Sequence, residues 1–162
     1  MNFVLRNFAP GDAERVNEVA LDAFSEFRDE YSDWETLARN LGNTAALAES
    51  GEMIVAAVEG DVVGAVVYVA PGRPKREFFD PEWPVVRMLV VSPRHRGLGI
   101  GRALMEECVR RAARDRAPLI ALHTSPIMTV ALPLYLRMGF VLHRDAPSLL
   151  GVPYGIYVKP LG

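Results

Sequence analysis

The sequence is poor in the residues that build disulfide frameworks and metal centres. Among 162 residues there is one cysteine, Cys108, and there are three histidines, which lie far apart in sequence. A single cysteine excludes an internal disulfide framework and favours a reducing compartment. Without a close pair of histidines or cysteines, a zinc site has no support. We therefore expect no metal.

Long apolar runs are also missing, and lysine is almost absent. The sequence has no run of about 18 apolar residues, the length that a membrane-spanning helix needs. A charged residue, Arg6, appears where a secretory signal would be apolar. We accordingly expect a cytoplasmic protein without a membrane partner. The only lysines are Lys75 and Lys159, so no glycine is followed by the lysine of an ATP-binding loop. This absence argues against ATP hydrolysis.

Charge is distributed unevenly, although the formal net charge is only -2. Residues 1–35 contain nine acidic residues against three arginines, whereas residues 87–116 contain eight arginines against three acidic residues. The basic segment would suit a ligand with several phosphates. Nucleic acid is the rival ligand, but the arginines lack interleaved aromatic residues and the pI is near 5.9. We expect no nucleic-acid partner.

Half of the residues are hydrophobic, and neither a composition break nor a repeat divides the chain. These features predict one domain over residues 1–162. A chain of this length buries roughly two-thirds of its unfolded surface, which is enough for an ordinary core.

A glycine-rich turn is the most informative stretch. The apolar segment Val85–Val91 predicts a buried strand, and an amphipathic helix follows it. The turn between them contains Gly97, Gly99 and Gly101. A helix start has unpartnered backbone N–H groups and partial positive charge, and glycines leave these donors open to a bulky anion. The stretch therefore predicts a phosphate or pyrophosphate site.

The spacing of the glycines restricts the kind of phosphate ligand. The dinucleotide pattern G-x-G-x-x-G fails because Arg102 or Leu104 occupies the position of its third glycine. The pattern R-x-x-G-x-G occurs twice in overlap, from Arg94 and from Arg96. This segment resembles the acyl-CoA pyrophosphate loop of the GNAT superfamily of N-acyltransferases. Residues 131–140 are similar to that family's A-x-x-L-Y-x-x-x-G-F motif, so the specific resemblance covers residues 85–140.

The order of predicted elements is also similar to that of the GNAT fold. It indicates an α/β fold with a mixed, mostly antiparallel central sheet, helices on both faces and a parallel β-α-β unit over residues 85–123. Four local predictions accompany it. Asp12 caps the first helix, Gly60-Asp61 forms a two-residue hairpin turn, residues 71–84 form a pocket wall or a disordered flap, and residues 147–153 connect the last strands.

The resemblance implies acetyl-CoA as co-substrate, held in a gap between the two parallel strands. It implies contacts along the strand before the turn and at the turn itself. The implied residues are Leu89, Val90, Val91, Arg94, Arg96, Gly97, Leu98, Gly99, Ile100, Gly101 and Arg102.

The resemblance places Tyr135 near the CoA sulfur, as the acid that protonates the departing thiolate. Packing beside its leucine neighbours is the alternative role for this tyrosine. The base for the acceptor amine is less determined, because the strand before the glycine turn lacks the glutamate that many family members have. Glu82 and His123 are the candidates, and a base acting through water, or none, remains open.

For the acceptor, the resemblance points to the first two helices and to the loop before the glycine-turn strand. The aromatic candidates there are Phe24, Phe27, Tyr31, Phe79 and Trp83. Nearby acidic residues could attract a cationic amine, namely Asp22, Glu26, Asp29 and Glu30.

We expect an N-acetyltransferase that moves an acetyl group from acetyl-CoA to a primary amine by direct attack in a ternary complex. The acceptor would be a small-molecule or peptide amine, and the protein a possible homodimer. A non-catalytic acyl-CoA-binding sensor or regulatory module is the alternative.

Overall fold

A computed structural model describes residues 2–162. It contains four α-helices and seven strands, joined in places by 3₁₀ turns. In chain order the elements are β1 (Val4–Asn7), α1 (Ala13–Phe24), α2 (Trp34–Leu41), β2 (Glu52–Val58), β3 (Asp61–Val69), β4 (Val85–Val91), α3 (Ile100–Arg114), β5 (Leu119–Thr124), α4 (Ala131–Arg137), β6 (Val141–Leu149) and β7 (Val152–Pro160). No helix within residues 2–162 is both long enough and apolar enough to cross a bilayer.

The seven strands form one twisted sheet in the order β1-β2-β3-β4-β5-β7-β6. Every neighbouring pair is antiparallel except β4 and β5, which are parallel and joined by α3. The α/β fold, the mixed sheet and the β-α-β unit are therefore confirmed.

Helices cover the sheet on both faces, so alternate residues of the central strands enter different cores. Val85 and Ala121 pack in the core beneath α1 and α2. Val86 and Ile120 pack in the core beneath α3, together with Tyr135 of α4. This two-sided burial explains why the central strands are apolar at nearly every position.

The hairpin between β2 and β3 has the expected length, but its turn lies one residue earlier than predicted. Val58 pairs with Asp61, so Glu59 and Gly60 form the turn and Asp61 begins β3. Both turn residues have positive φ, 51° and 87°. That is the conformation of a type I′ turn, whose twist matches the flanking strands.

Asp12 is the N-cap residue of α1, as predicted, but its side chain makes no capping hydrogen bond to the helix. A 3₁₀ turn, Pro10–Asp12, precedes the helix, and Asp12 has helical backbone angles. Its carboxylate accepts instead from the Arg6 guanidinium at 2.8 and 2.9 Å and from the Ala9 N–H at 2.8 Å. Asp12 therefore ties the start of α1 to the edge strand β1. These contacts lower the pKa of its carboxyl, with the Arg6 hydrogen bond the largest cause.

The connection predicted over residues 147–153 is mostly strand. β6 runs to Leu149, β7 begins at Val152, and Leu150-Gly151 alone form the turn. Pro147 is tolerated because β6 is the edge of the sheet, where one side of the strand needs no N–H donor. Residues 147–149, predicted to be part of a connection, are therefore the last residues of an edge strand.

The loop over residues 71–84 is an ordered wall rather than a disordered flap. The Lys75 ammonium donates to the carbonyl oxygens of Ala70, Arg73 and Pro81 at 3.2, 2.8 and 2.8 Å. Phe79 is buried in the core beneath α1 and α2. One lysine and one phenylalanine thus hold this loop against the sheet.

Candidate active site

The cleft begins where β4 and β5 part. The two strands pair only at Val85 and Ala121, and the Ala121 N–H donates to the Pro84 carbonyl at 3.0 Å. Further along β4, Met88 has φ of 54° and the register with β3 shifts, so β4 bulges. Beyond this point the two strands are splayed, and a cleft of about 860 Å³ lies over the gap.

The glycine turn forms one end of the cleft. Gly97 and Gly99 have φ of 79° and 83°, a region that side chains with a Cβ rarely adopt, and Gly99 is the N-cap of α3. In the described chain, none of the backbone N–H groups over residues 97–102 has a backbone acceptor. No atom lies within 4 Å of a Cβ built on Gly97 or Gly99. This end is an open cradle of donors, suited to an anion.

Among the implied cofactor residues, most of the turn lines the cleft but not all of it. Leu89, Val90 and Val91 line it along β4, and so do Arg96, Gly97, Gly99, Ile100, Gly101 and Arg102. Arg94 and Leu98 do not line it, and the Leu98 side chain is exposed. Arg96 forms an ion pair with Glu26 at 2.7 Å, which joins the turn to the segment after α1.

His95 is a cleft residue that the sequence analysis did not single out. It lies in the glycine turn, and its Nδ1 is the one buried side-chain polar atom without a hydrogen-bond partner that the structure records for residues 2–162. A buried unpaired nitrogen is costly unless a ligand pairs with it. This orphan atom and the open N–H groups fit a polar ligand at the turn.

Tyr135 lies on α4 at the side of the cleft. Pro133 falls in the first turn of α4, where its missing N–H leaves no intrahelical hydrogen bond unmade. The Tyr135 ring packs on Phe140 at 5.9 Å between centroids, and its hydroxyl makes no hydrogen bond in the described chain. Burial, and then the nearby Cys108, raise the pKa of Tyr135. Cys108 is fully buried, and burial raises its own pKa to about 12.

The two candidate bases are in different places. His123 lines the cleft from β5, between the rings of Phe78 at 5.1 Å and Tyr154 at 5.0 Å. Burial, followed by the charges of Arg76 and Arg87, lowers the pKa of His123 to about 4. The imidazole is therefore neutral near pH 7.

Glu82 is exposed in the 71–84 loop and does not line the cleft. Its backbone N–H is bonded to the Asp80 carboxylate at 2.9 Å. The structure does not bring Glu82 to the cleft.

The five aromatic acceptor candidates are divided. Phe24 and Phe27 line the cleft. Tyr31 is buried, and its hydroxyl is bonded to the Tyr154 hydroxyl at 2.5 Å. Phe79 is buried, and Trp83 packs on His143 at 5.3 Å, so neither lines the cleft.

Tyr154 lines the cleft and was missed, because it reaches the site only through the pairing of β7 with β5 and β6. Burial raises the pKa of both Tyr31 and Tyr154.

The charge of the cleft is opposite to the expected one. Asp22, Asp29 and Glu30 are exposed outside it, and only Glu26 of the acidic group lines it. That glutamate is already paired with Arg96. The charged lining otherwise consists of six arginines: Arg39, Arg76, Arg87, Arg96, Arg102 and Arg137. An acidic acceptor surface is therefore absent from the lining that the structure describes.

A mixed sheet whose one parallel pair opens over a glycine turn defines a class of α/β proteins, and solved structures of that class are similar to this one. PaiA N-acetyltransferase from Thermoplasma acidophilum, solved with coenzyme A, matches with a TM-score of 0.79 at 17% identity, over 99% of this chain and 100% of that one. A GNAT family acetyltransferase from Elizabethkingia anophelis, solved with acetyl-CoA bound, matches with a TM-score of 0.67 at 18% identity, over 99% of each chain.

Sequence comparison identifies the family. The profile described as the acetyltransferase (GNAT) family matches residues 13–140. N-acetyltransferase 8B of Rattus norvegicus is 35% identical over 96 residues, which cover 58% of this chain and 37% of that relative. The chain thus spans little more than a third of that relative's length. The protein belongs to the GNAT acetyltransferase family.

Proposed function

We propose that this protein transfers an acetyl group from acetyl-CoA to a primary amine by direct attack in a ternary complex. One observation carries the proposal: the splayed β4–β5 gap connects an open cradle of N–H donors with the unpartnered hydroxyl of Tyr135, a buried residue that lines the cleft. An extended cofactor lying in the gap would have its phosphates at one end and its sulfur near the other. The coenzyme A and acetyl-CoA of the two solved relatives support this choice of cofactor.

Three parts of this chain would hold the cofactor. The N–H groups over residues 97–102 would bind the pyrophosphate, assisted by the charges of Arg96 and Arg102. The Nδ1 of His95 would pair with a polar atom of the cofactor. Backbone groups of residues 89–91, which β5 leaves unpaired, would bond the pantetheine arm.

Acetyl-CoA supplies a thioester carbonyl carbon, to which the amine nitrogen bonds while the carbon–sulfur bond breaks. The amine then loses a proton and the CoA sulfur gains one. Tyr135 would donate its hydroxyl hydrogen to that sulfur. Because a thiol has a pKa near 8.5 and burial raises the pKa of Tyr135 above its usual 10, full proton transfer is uphill by at least about 2 kcal/mol. A hydrogen bond that stabilises the thiolate is therefore the main contribution.

His123 is the candidate base that lines the cleft. Its imidazole is neutral near pH 7, and its pKa of about 4 makes it a weak acceptor for the amine's proton. A water molecule acting beside it would serve the same purpose. We propose a small-molecule or peptide amine as acceptor, rather than nucleic acid or membrane, because the arginines line a cleft of limited volume.

Thiol release from acetyl-CoA with a panel of amines tests the reaction. Tyr135→Phe should lower kcat by about 100-fold or more while the CoA affinity stays within a few-fold, since a hydrogen-bond donor to a developing anion is typically worth that much. Tyr157→Phe is the matched control, because Tyr157 packs in the core beneath α3 and does not line the cleft.

Full kcat in Tyr135→Phe would remove the proposed role of this hydroxyl. Tight acetyl-CoA binding without turnover on any amine would instead favour a non-catalytic sensor or regulatory module.

A further inference from the structure

We propose that the acceptor amine carries an anionic group, a carboxylate or a phosphonate, which Arg87 and Arg76 bind in the acceptor half of the cleft. The inference rests on the proposed acetyl transfer and specifies the acceptor's chemical class. Both arginines line the cleft, and neither belongs to the glycine turn.

Strand register places Arg87 beside His123. Val85 and Ala121 are partners in the parallel pair, and two residues further along each strand come Arg87 and His123. Residues two apart in a strand share a face, so both side chains lie on the face that α1 and α2 cover. The antiparallel pairing of Arg87 with Val67 agrees, because Val67 packs in that same core. Since the strands are splayed here, the two side chains border the gap.

Arg87 is a half-buried cation without a partner. The structure records no hydrogen bond or ion pair for its guanidinium within residues 2–162. Arg111, another arginine with little exposure, is by contrast bonded to Glu52, Glu107 and Asn7. Burial, and then the charge of Arg76, lower the pKa of Arg87, and no carboxylate opposes them. A buried charge of this kind is costly unless an anion pairs with it.

Arg76 adds a second positive charge to the cleft lining. It extends from the ordered 71–84 loop, with its guanidinium 5.2 Å from the ring centroid of Phe78. Phe78 also packs on His123. Two guanidinium groups beside one imidazole can bind a single carboxylate or phosphonate with charge-assisted hydrogen bonds.

The two arginines are separate from the proposed pyrophosphate site. Four residues of extended chain, about 13 Å, separate Arg87 from the end of β4, after which the glycine turn begins. Arg87 also lies on the face opposite α3. The cleft therefore has a second anion-binding region at the acceptor end. Phe24, Phe27 and Leu150 also line the cleft, which suits an apolar group on the acceptor.

Three related amines test the inference at saturating acetyl-CoA: phenylalanine, phenylalaninamide and 1-amino-2-phenylethylphosphonate. Wild-type protein should prefer the anionic acceptors over the amide by about 10- to 100-fold in kcat/KM, which is typical for hydrogen bonds to a charged group. The acid and the phosphonate distinguish the two kinds of anion. Arg87→Gln should abolish the preference for the anionic acceptors, chiefly by raising their KM. Because Arg76 is exposed, Arg76→Gln should reduce the preference without abolishing it.

Arg73→Gln is the matched control, because Arg73 is exposed in the same loop and does not line the cleft. It should keep the preference. An amide used as well as the acid, or an unchanged preference in Arg87→Gln, would overturn the inference and leave acetyl transfer intact.

If no amine is turned over, equilibrium binding of the same three compounds to CoA-saturated protein decides the matter. Tighter binding of an anionic compound, lost in Arg87→Gln, would support the anion site even though acetyl transfer had failed. Equal binding of all three, or binding of none, would overturn it.

Discussion

The two ends of the cleft differ in what lines them, because one is formed mainly by backbone groups and the other by side chains. The phosphate end consists mainly of backbone: two glycines with positive φ and a row of N–H groups at the start of α3. The acceptor end consists of side chains from separate strands and loops, including Arg87, His123 and Tyr154. A backbone site can serve many relatives with the same cofactor, because its chemistry does not depend on side-chain identity. A side-chain site can change acceptor without disturbing the fold.

The largest expected effect is a loss of CoA affinity on substitution at the proposed phosphate end. Gly99→Asp forces a side chain into a left-handed conformation, at about 1–2 kcal/mol, and adds a negative charge among the phosphate donors. We expect CoA affinity to fall by about 100-fold or more, as measured by calorimetric titration. Gly72→Asp is the control, since Gly72 has a similar φ of 79°, equally open surroundings and no place in the cleft. Unchanged CoA binding in Gly99→Asp would remove the phosphate site.

A smaller effect concerns pH at the acceptor end. The pKa of His123 is about 4 in the folded protein and near 6.5 when unfolded, so the unfolded chain takes up a proton first as pH falls. The stability that neutral His123 contributes is present above pH 6.5 and is lost as pH falls toward 4. Partial exposure reduces the effect to about 1–2 kcal/mol between pH 7 and pH 5.

Denaturant unfolding at pH 7 and pH 5 measures this difference. Between pH 7 and pH 5, the free energy of unfolding of His123→Gln should fall by about 1–2 kcal/mol less than that of the wild type. An equal loss in the two proteins would show that His123 does not titrate abnormally. His143→Gln is the control, because His143 stacks on Trp83 outside the cleft.

The smallest effect concerns the contact that joins the two ends. Glu26 and Arg96 form an ion pair, with 39% and 33% of their side chains exposed. Exposed pairs of this kind contribute about 0–1 kcal/mol. Glu26→Gln should free Arg96 for the cofactor and tighten CoA binding by less than about 5-fold, more at low salt than at high salt.

Titration of CoA at two ionic strengths measures this effect. Glu30→Gln serves as the control, since Glu30 is exposed outside the cleft. Weaker CoA binding in Glu26→Gln would mean that the pair positions the turn instead of competing for the phosphate.

The same contrast explains how much the sequence could predict. The fold and the strand–glycine turn–helix unit at one end of the cleft were predictable because their determinants are contiguous: an apolar strand, a glycine turn and an amphipathic helix over residues 85–114. The acceptor end depends on register. Arg87 was visible as a charge in an apolar strand, but only the pairing of Val85 with Ala121 places it beside His123. Asp22, Asp29 and Glu30 were expected at the cleft, but they are exposed to solvent near the end of α1 and in the segment after it.

Tyr31 is a second case in which a contact between distant residues decides the outcome. Its position in the chain suggested an acceptor contact, yet its hydroxyl is bonded to Tyr154, a residue 123 positions away. Residues 147–153 were predicted to connect the last strands, and only the sheet order shows that β6 is an edge strand that tolerates Pro147. In each case the missing information is which distant segment lies alongside.

Cys108 has a practical consequence. It is the chain's only cysteine, it is fully buried beneath α3, and burial raises its pKa to about 12. The folded protein therefore offers almost no thiolate to reagents, since reactivity follows exposure and thiolate character. Any sulfhydryl detected during turnover therefore belongs to the released CoA. Slow labelling of Cys108 by a thiol reagent reports how often the protein unfolds.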